Sequence, residues 1–220
     1  MYQLRFQILL RYIDRLAYGV FLAISITFAS LLIGAVIGLV MALMRTRGNL
    51  AFRRVATAYV EFFRNIPLLL IIIFIFFGLP LMGIQFLDKF ASVTVAMSLY
   101  AGAYLTEIFR AGIESIESRF IEAGQSIGLT SSDIVRYVIL PLMFAESLPA
   151  LSNLTISLFK DSSLAAAASV PEITFVGRVI NTDTWRIVEA WTAVAGIYLG
   201  VSYFMALLLR RVERSLLRWR

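Results

Sequence analysis

Charged and hydroxylated side chains are sparse in this 220-residue chain, and where they cluster they limit the chemistry open to it. Lys160 and Asp161 stand side by side, with Ser152, Asn153, Thr155 and Ser157 before them and Ser162 after. A cation and an anion beside hydroxyls suit a zwitterion, which needs one site of each sign. The alternative is that both charges pair with neighbouring helices and hold a gate. On a straight helix Lys160 would lie about 28 Å from Pro141, at the far end of a span, and a bend would bring it deeper. Glu61 and Arg64 are three residues apart and share a helix face, with Asn65 and Pro67 just beyond. They read either as a local ion pair, Arg64 snorkelling to the membrane surface, or as groups lining a pathway. Pro67 lacks a donor and predicts a kink in that helix. For Glu107 and Arg110, at the same spacing, a structural ion pair is the reading adopted.

A second polar cluster lies between two long apolar runs. From Arg110 to Arg136 the chain is too polar to cross a bilayer, yet it is rich in helix formers as far as Gly128. The pattern predicts a short helix through Glu122, Ala123 and Gly124, a break at Gly128-Leu129-Thr130, and a second helical turn capped by Ser131 or Ser132. Lying across the ends of spans, such a helix is either a docking surface or a solvated loop. On the docking reading Glu122 supplies a polar contact, Ala123 and Gly124 allow close backbone approach, and Gly128 separates this helix from the rest of the polar segment.

The elements that must position these groups are membrane helices. Hydrophobic residues make up 60% of the chain and charged residues 15%, and mean hydropathy is +0.85; the length accommodates about five or six spans. The absence of Cys and His removes thiolate and imidazole metal sites and Cys- or Ser-His catalytic pairings, so neither a metal site nor an enzyme is expected. The two lysines come directly after Asp88 and Phe159, so no phosphate loop exists and no cofactor is assigned to this chain. The net charge of +6 comes from arginines flanking apolar runs, which reads as membrane topology and not as nucleic-acid binding.

Five spans are expected in an all-α membrane protein: Leu16 to Met44, Val55 to Phe77, Ser92 to Ile108, one from Pro141, and Ile187 to Leu209. Arg45, Arg47, Arg53, Arg54, Arg110, Arg119, Arg136, Arg210, Arg211, Arg214, Arg218 and Arg220 fall on one side, against Arg5, Arg11, Arg15, Lys89, Arg178 and Arg186 on the other. The excess places the C-terminus in the cytoplasm and the N-terminus outside. Residues 1–15 read as an interfacial helix and residues 112–140 as a cytoplasmic segment, within one domain spanning 1–220. The first apolar run is longer than a cleavable signal's, and is expected to remain as an anchor. Gly34 with Gly38, and Gly196 with Gly200, are small pairs read mainly as intramolecular packing.

Glu-Ala-Gly at 122–124, Gly128 and Val138-Ile139-Leu140-Pro141 resemble the EAA signature of binding-protein-dependent ABC importer permeases. The segments from Tyr59 to Leu69, Ala103 to Ile113 and Leu158 to Leu164 are similar to the polar amino acid branch of the histidine, glutamine and glutamate type. The resemblance implies a coupling helix seated in an ATPase groove, where it acts as a lever. It also implies a second permease, identical or paralogous, two ATP-binding subunits that hold ATP and magnesium, a soluble substrate-binding protein, and the bacterial inner membrane. Asn65 in Arg-Asn-x-Pro resembles the branch for acidic amino acids and their amides; an opine or basic amino acid is the alternative. Gly124 and Ser162 stand where alanine and threonine are common, Ile66 where threonine is, and Arg119-Phe120 where Gly-Gln is. An ion-coupled carrier would show internal repeats, and none is found.

Overall fold

The computed structural model describes residues 2–85 and 87–216, so Arg218 and Arg220, counted above for orientation, lie outside the described residues. A 3-10 turn at Phe6–Tyr12 runs without interruption into α1, Ile13–Arg47. It is continuous with the first long helix and does not form a separate one. Tyr2 and the Arg5 backbone both donate to Glu189, which ties the N-terminal segment to the start of the last helix.

Asn49 accepts from Phe52 N at 3.0 Å and starts α2, Leu50–Asn65. At Ile66 the backbone is extended (ψ 132°), as the ring of Pro67 demands of the residue before it. α3 then covers Leu68–Leu81, at 101° to α2. The expected single span from Val55 to Phe77 with a kink is therefore two arms meeting nearly at a right angle. Asp88 caps α4, Lys89–Glu114, by accepting from Ala91 N at 2.7 Å. Next come α5, Ser118–Ser126, and α6, a continuous helical run over Ser131–Ala168 with a π turn at Val135–Ile139 and a 3-10 end. α6 thus starts well before Pro141. After the left-handed Ser169, α7 covers Ile173–Thr184, a helix the sequence reading left out. α8, Ile187–Leu216, comes after the left-handed Trp185.

α4 is the centre of the bundle. Its Thr94, Ser98 and Thr106 are buried, and each donates to the carbonyl four residues back, so their hydroxyls are satisfied without a partner helix. α1 lies parallel to it at backbone contact. A Cβ on Gly34 would come 3.0 Å from Ala101 Cβ, and one on Gly38 2.6 Å from Leu105 Cβ. This glycine pair packs inside the chain, whereas Gly196 and Gly200 on α8 meet nothing within 4 Å.

Among the described residues the fold is all-helical. Phe6–Arg47, Ser131–Ala168 and Ile187–Ser215 are long and apolar enough to cross a membrane, and α2 with α3 makes a fourth if that pair is one span. α4 is about 39 Å long but too polar to count by composition, because helices and not lipid surround it.

Candidate functional site

At the end of the bundle where α1, α4 and α8 finish, Glu107 accepts from Arg45 of α1 and from Arg110 at 2.7 Å, and Arg110 also reaches Glu114 at 2.5 Å. The pairing read from the spacing of Glu107 and Arg110 forms, enlarged into a network that joins α1 to α4. The Glu61–Arg64 pair does not form. Asn65 takes Glu61 instead, its amide donating to the backbone oxygen at 2.7 Å and to Oε2 at 3.1 Å. Arg64 lies 5.1 Å over the ring of Tyr104. Pro67 is exposed and opens α3, its carbonyl accepting from Leu70 N at 2.9 Å.

The short helix α5 lies beyond this network. Its end forms a Schellman motif: Gly128 N donates to Gln125 O at 3.0 Å and Leu129 N to Gly124 O at 3.1 Å. Gly128 has φ +84°, which makes the break expected there. Thr130, not Ser131 or Ser132, caps the next turn through a capping box. It accepts from Asp133 N at 3.3 Å while its own N donates to Asp133 Oδ2 at 3.2 Å. Gly124 is the one buried residue of α5, and a Cβ there would sit 3.3 Å from Leu129 Cδ1. Glu122 and Ala123 are exposed, and among the described residues the Glu122 carboxylate has no partner. Phe120 and Ile127, the latter 78% exposed, add apolar surface to the same short segment. The sequence reading named Phe120 only as a departure from the family pattern and did not single out Ile127, although an isoleucine in a polar island was the available signal.

From this end a polar stripe runs along α6. Glu146, Asn153, Ser157 and Lys160 recur at helical spacing, and the last three are exposed. At its base a cleft of about 530 Å³ is lined by residues including Arg64, Glu107, Arg110, Glu146 and Ala150. Thr155 and Ser162 point elsewhere. Both are buried, donating to Leu151 O at 2.8 Å and to Phe159 O at 2.7 Å, so neither hydroxyl faces the stripe. Asp161 is half-buried beside the exposed Lys160.

The depth of Lys160 also differs from the straight-helix expectation. Phe159 packs 5.4 Å from the ring of Tyr198, which is about 17 Å along α8 from Ile187. With a hydrocarbon core about 30 Å thick, that is near the middle of the span. α6 ends short of the surface because Ser169 turns it, and α7 covers the remaining distance. That turn is held by Lys89 Nζ donating to Ser169 O at 3.2 Å and by Glu172. The Glu172 carboxylate is wholly buried and accepts from Thr174 N at 2.8 Å, Phe175 N at 2.9 Å and Tyr198 Oη at 2.7 Å. The sequence reading missed it; its signal was an acid immediately before Ile173, Val176 and Ile180 at helical spacing.

The arrangement holds a polar stripe along α6 and, apart from it, an exposed short helix, α5. Comparison with known proteins gives the same two parts a context. Residues 34–218 match the model of the family described as binding-protein-dependent transport system inner membrane component. The glutamine transport system permease protein GlnP of Escherichia coli strain K12 is 36% identical over 205 residues, covering 93% of this chain and 94% of that protein. The probable glutamine ABC transporter permease protein GlnM of Bacillus subtilis is 35% identical over 188 residues, covering 82% and 85%. A solved structure, described as the crystal structure of an amino acid ABC transporter with histidines, superposes with a TM-score of 0.88 at 30% identity, covering 97% of this chain and all of that one.

Proposed function

This chain belongs to the family of binding-protein-dependent transport system inner membrane components and is a permease subunit of an amino acid ABC importer, and we propose that its cargo is glutamine or a related acidic amino acid. The named function of the 36% identical glutamine permease supports that choice, as does the pair of opposite charges at Lys160 and Asp161. On this reading α1, the α2–α3 pair, α4, α6 and α8 are five crossings. The N-terminus is outside and the C-terminus lies on the cytoplasmic face of a bacterial inner membrane. Residues 112–140 form the coupling segment.

The single observation that carries the mechanism is the uncovered polar stripe on α6. A lysine facing lipid at mid-span costs about 3 kcal/mol, so Asn153, Ser157 and Lys160 belong against a water-filled path. This chain supplies one wall; a second permease subunit, identical or paralogous, supplies the other. Two ATP-binding subunits hold ATP and magnesium and seat α5 through Glu122, Ala123 and the apolar Phe120 and Ile127. A soluble binding protein delivers the amino acid. Closure of the ATPases pushes α5, and the Arg45–Glu107–Arg110 network passes that push to α1 and α4 together. Arg64, Asn65 and Pro67 stand at the cytoplasmic mouth, with Asp161 and Ser162 behind Lys160.

The test is uptake of labelled amino acids, one at a time, into liposomes containing this chain with its partner permease and ATPase, with binding protein outside and ATP inside. Uptake of glutamine or an acidic amino acid that needs ATP and survives a protonophore is expected. Uptake by this chain alone along an ion gradient overturns the reading. Separately, Glu122→Arg should abolish ATP-driven uptake; unchanged ATPase assembly and uptake would remove the coupling role.

A further inference from the structure

The first turns of α1 and the helix α7 form a groove that the transport reading does not use. α7 runs antiparallel to α1. A Cβ on Gly19 would lie 3.0 Å from Glu172 C and Ile173 N at the start of α7, and Tyr12 Oη donates to Asp183 Oδ2 at 3.2 Å near its end. Beside this seam lies a cavity of about 280 Å³ lined by Arg15, Tyr18, Pro171, Phe175, Val176 and Val179. Among the described residues Arg15 is the only charge in the lining.

We infer that this groove binds an anionic phospholipid, with an acyl chain between α1 and α7 and its phosphate on Arg15 and Arg11. The apolar wall continues outward along α1 as Tyr18 and Phe21, 55% and 62% exposed with ring centroids 6.3 Å apart, so the groove opens towards lipid. Arg11 and Arg15 are exposed and one helical turn apart. Neither has an ion pair among the described residues; Arg15 rests 5.7 Å over the ring of Tyr12. Asp14, the adjacent acid, is about 100° away around the helix. Arg178, over Phe175 at 5.3 Å, is engaged by the Ala166 carbonyl at 2.6 Å and lies outside the lining. The charges stand where α1 begins, at headgroup level, and the apolar lining runs below them. A basic rim above an apolar slot complements one phosphate and one chain, whereas a zwitterionic lipid brings its own head-group cation up against the same guanidinium groups. The inference rests only on α1 crossing a bilayer and not on the cargo.

The experiment titrates the full-length chain, assembled with its partner subunits in detergent, with phosphatidylglycerol, phosphatidylcholine and inorganic phosphate, monitoring the melting temperature. Phosphatidylglycerol should stabilise it saturably and at lower concentration than phosphatidylcholine, with no stabilisation by phosphate. Arg15→Gln should weaken that response about fivefold, the effect of one basic residue at a headgroup. Val179→Trp, which fills the slot, should remove the saturable part. Equal stabilisation by the two lipids, equal stabilisation by phosphate, or an unchanged response in Arg15→Gln would overturn the proposal. So would a melting temperature that rises with protein concentration and not with lipid, which would assign the groove to a second copy.

Discussion

Gly128 and Gly124 lie four residues apart and do opposite jobs. At Gly128 there is open space but φ is +84°, so Gly128→Ala strains the backbone by about 1–2 kcal/mol. At Gly124 the backbone is helical and the nearest obstacle is the flexible tip of Leu129, so Gly124→Ala should be neutral within about 1 kcal/mol. Thermal melts of the two variants should therefore separate by about 2–4 °C, Gly128→Ala being the lower. Equal melting would mean the left-handed turn is not needed. Glu172→Ala leaves two amides without an acceptor in a buried place and leaves the Tyr198 hydroxyl only Thr174 Oγ1 at 3.2 Å, and should cost about 2–4 kcal/mol, seen as loss of monodisperse protein on mild heating. At this scale the sequence was informative about bonds between neighbours in the chain. The Glu107–Arg110 pair was legible because three residues on a helix fix the distance. Asn65 displacing Arg64 at Glu61 was not, since the winner depends on how α2 ends.

Breaks decide the outcome for whole helices. Two faults in the span reading, an α2–α3 bend far larger than the kink expected at Pro67 and an α6 that reached the surface, come from local backbone geometry. Ile66 is extended ahead of Pro67, and Ser169 is left-handed after a run of alanines, where no glycine announces a turn. Hydropathy averages across such points, and α7, short and broken by Arg178, Asn181 and Asp183, gives no span-length apolar run. Pro67→Ala restores a donor and frees Ile66 to be helical, so α2 and α3 should straighten. Spin labels at Phe52→Cys and Leu81→Cys, in a chain with no native cysteine, should then lie farther apart than in the parent. An unchanged distance would place the cause of the bend in packing. Gly38→Val tests the α1–α4 contact. Leu105 and its backbone leave no room, and the variant should lose about 1–3 kcal/mol and elute partly aggregated from size exclusion.

For the molecule as a whole, composition was enough to read an all-helical membrane protein, whereas the polar island by itself left a docking helix and a solvated loop both open. The polar stripe along α6 was not legible to the same degree. Of the polar residues before and after Lys160, Thr155 and Ser162 turn inward to carbonyls, while Asn153 and Ser157 stay exposed, a division set by which side of α6 meets α4 and α8. The Lys160–Asp161 pair gives a prediction at this scale. Lys160→Glu should abolish uptake with ATPase assembly intact. Asp161→Asn should shift preference between an acidic amino acid and its amide by about tenfold in kcat/KM while ATP hydrolysis persists; an unchanged preference would limit Asp161 to holding the helices. The glycine seam between α1 and α4 bears on timing. Glycine leaves no side chain to compress, so two helices in backbone contact behave as bonded rods, and a push at Ser115 arrives at Asp88, about 39 Å away, with little lost to bending. On the proposed transport mechanism, the slow conformational steps then fall on the short turns at residues 48–49, 115–117 and 169–172, where the chain can pivot.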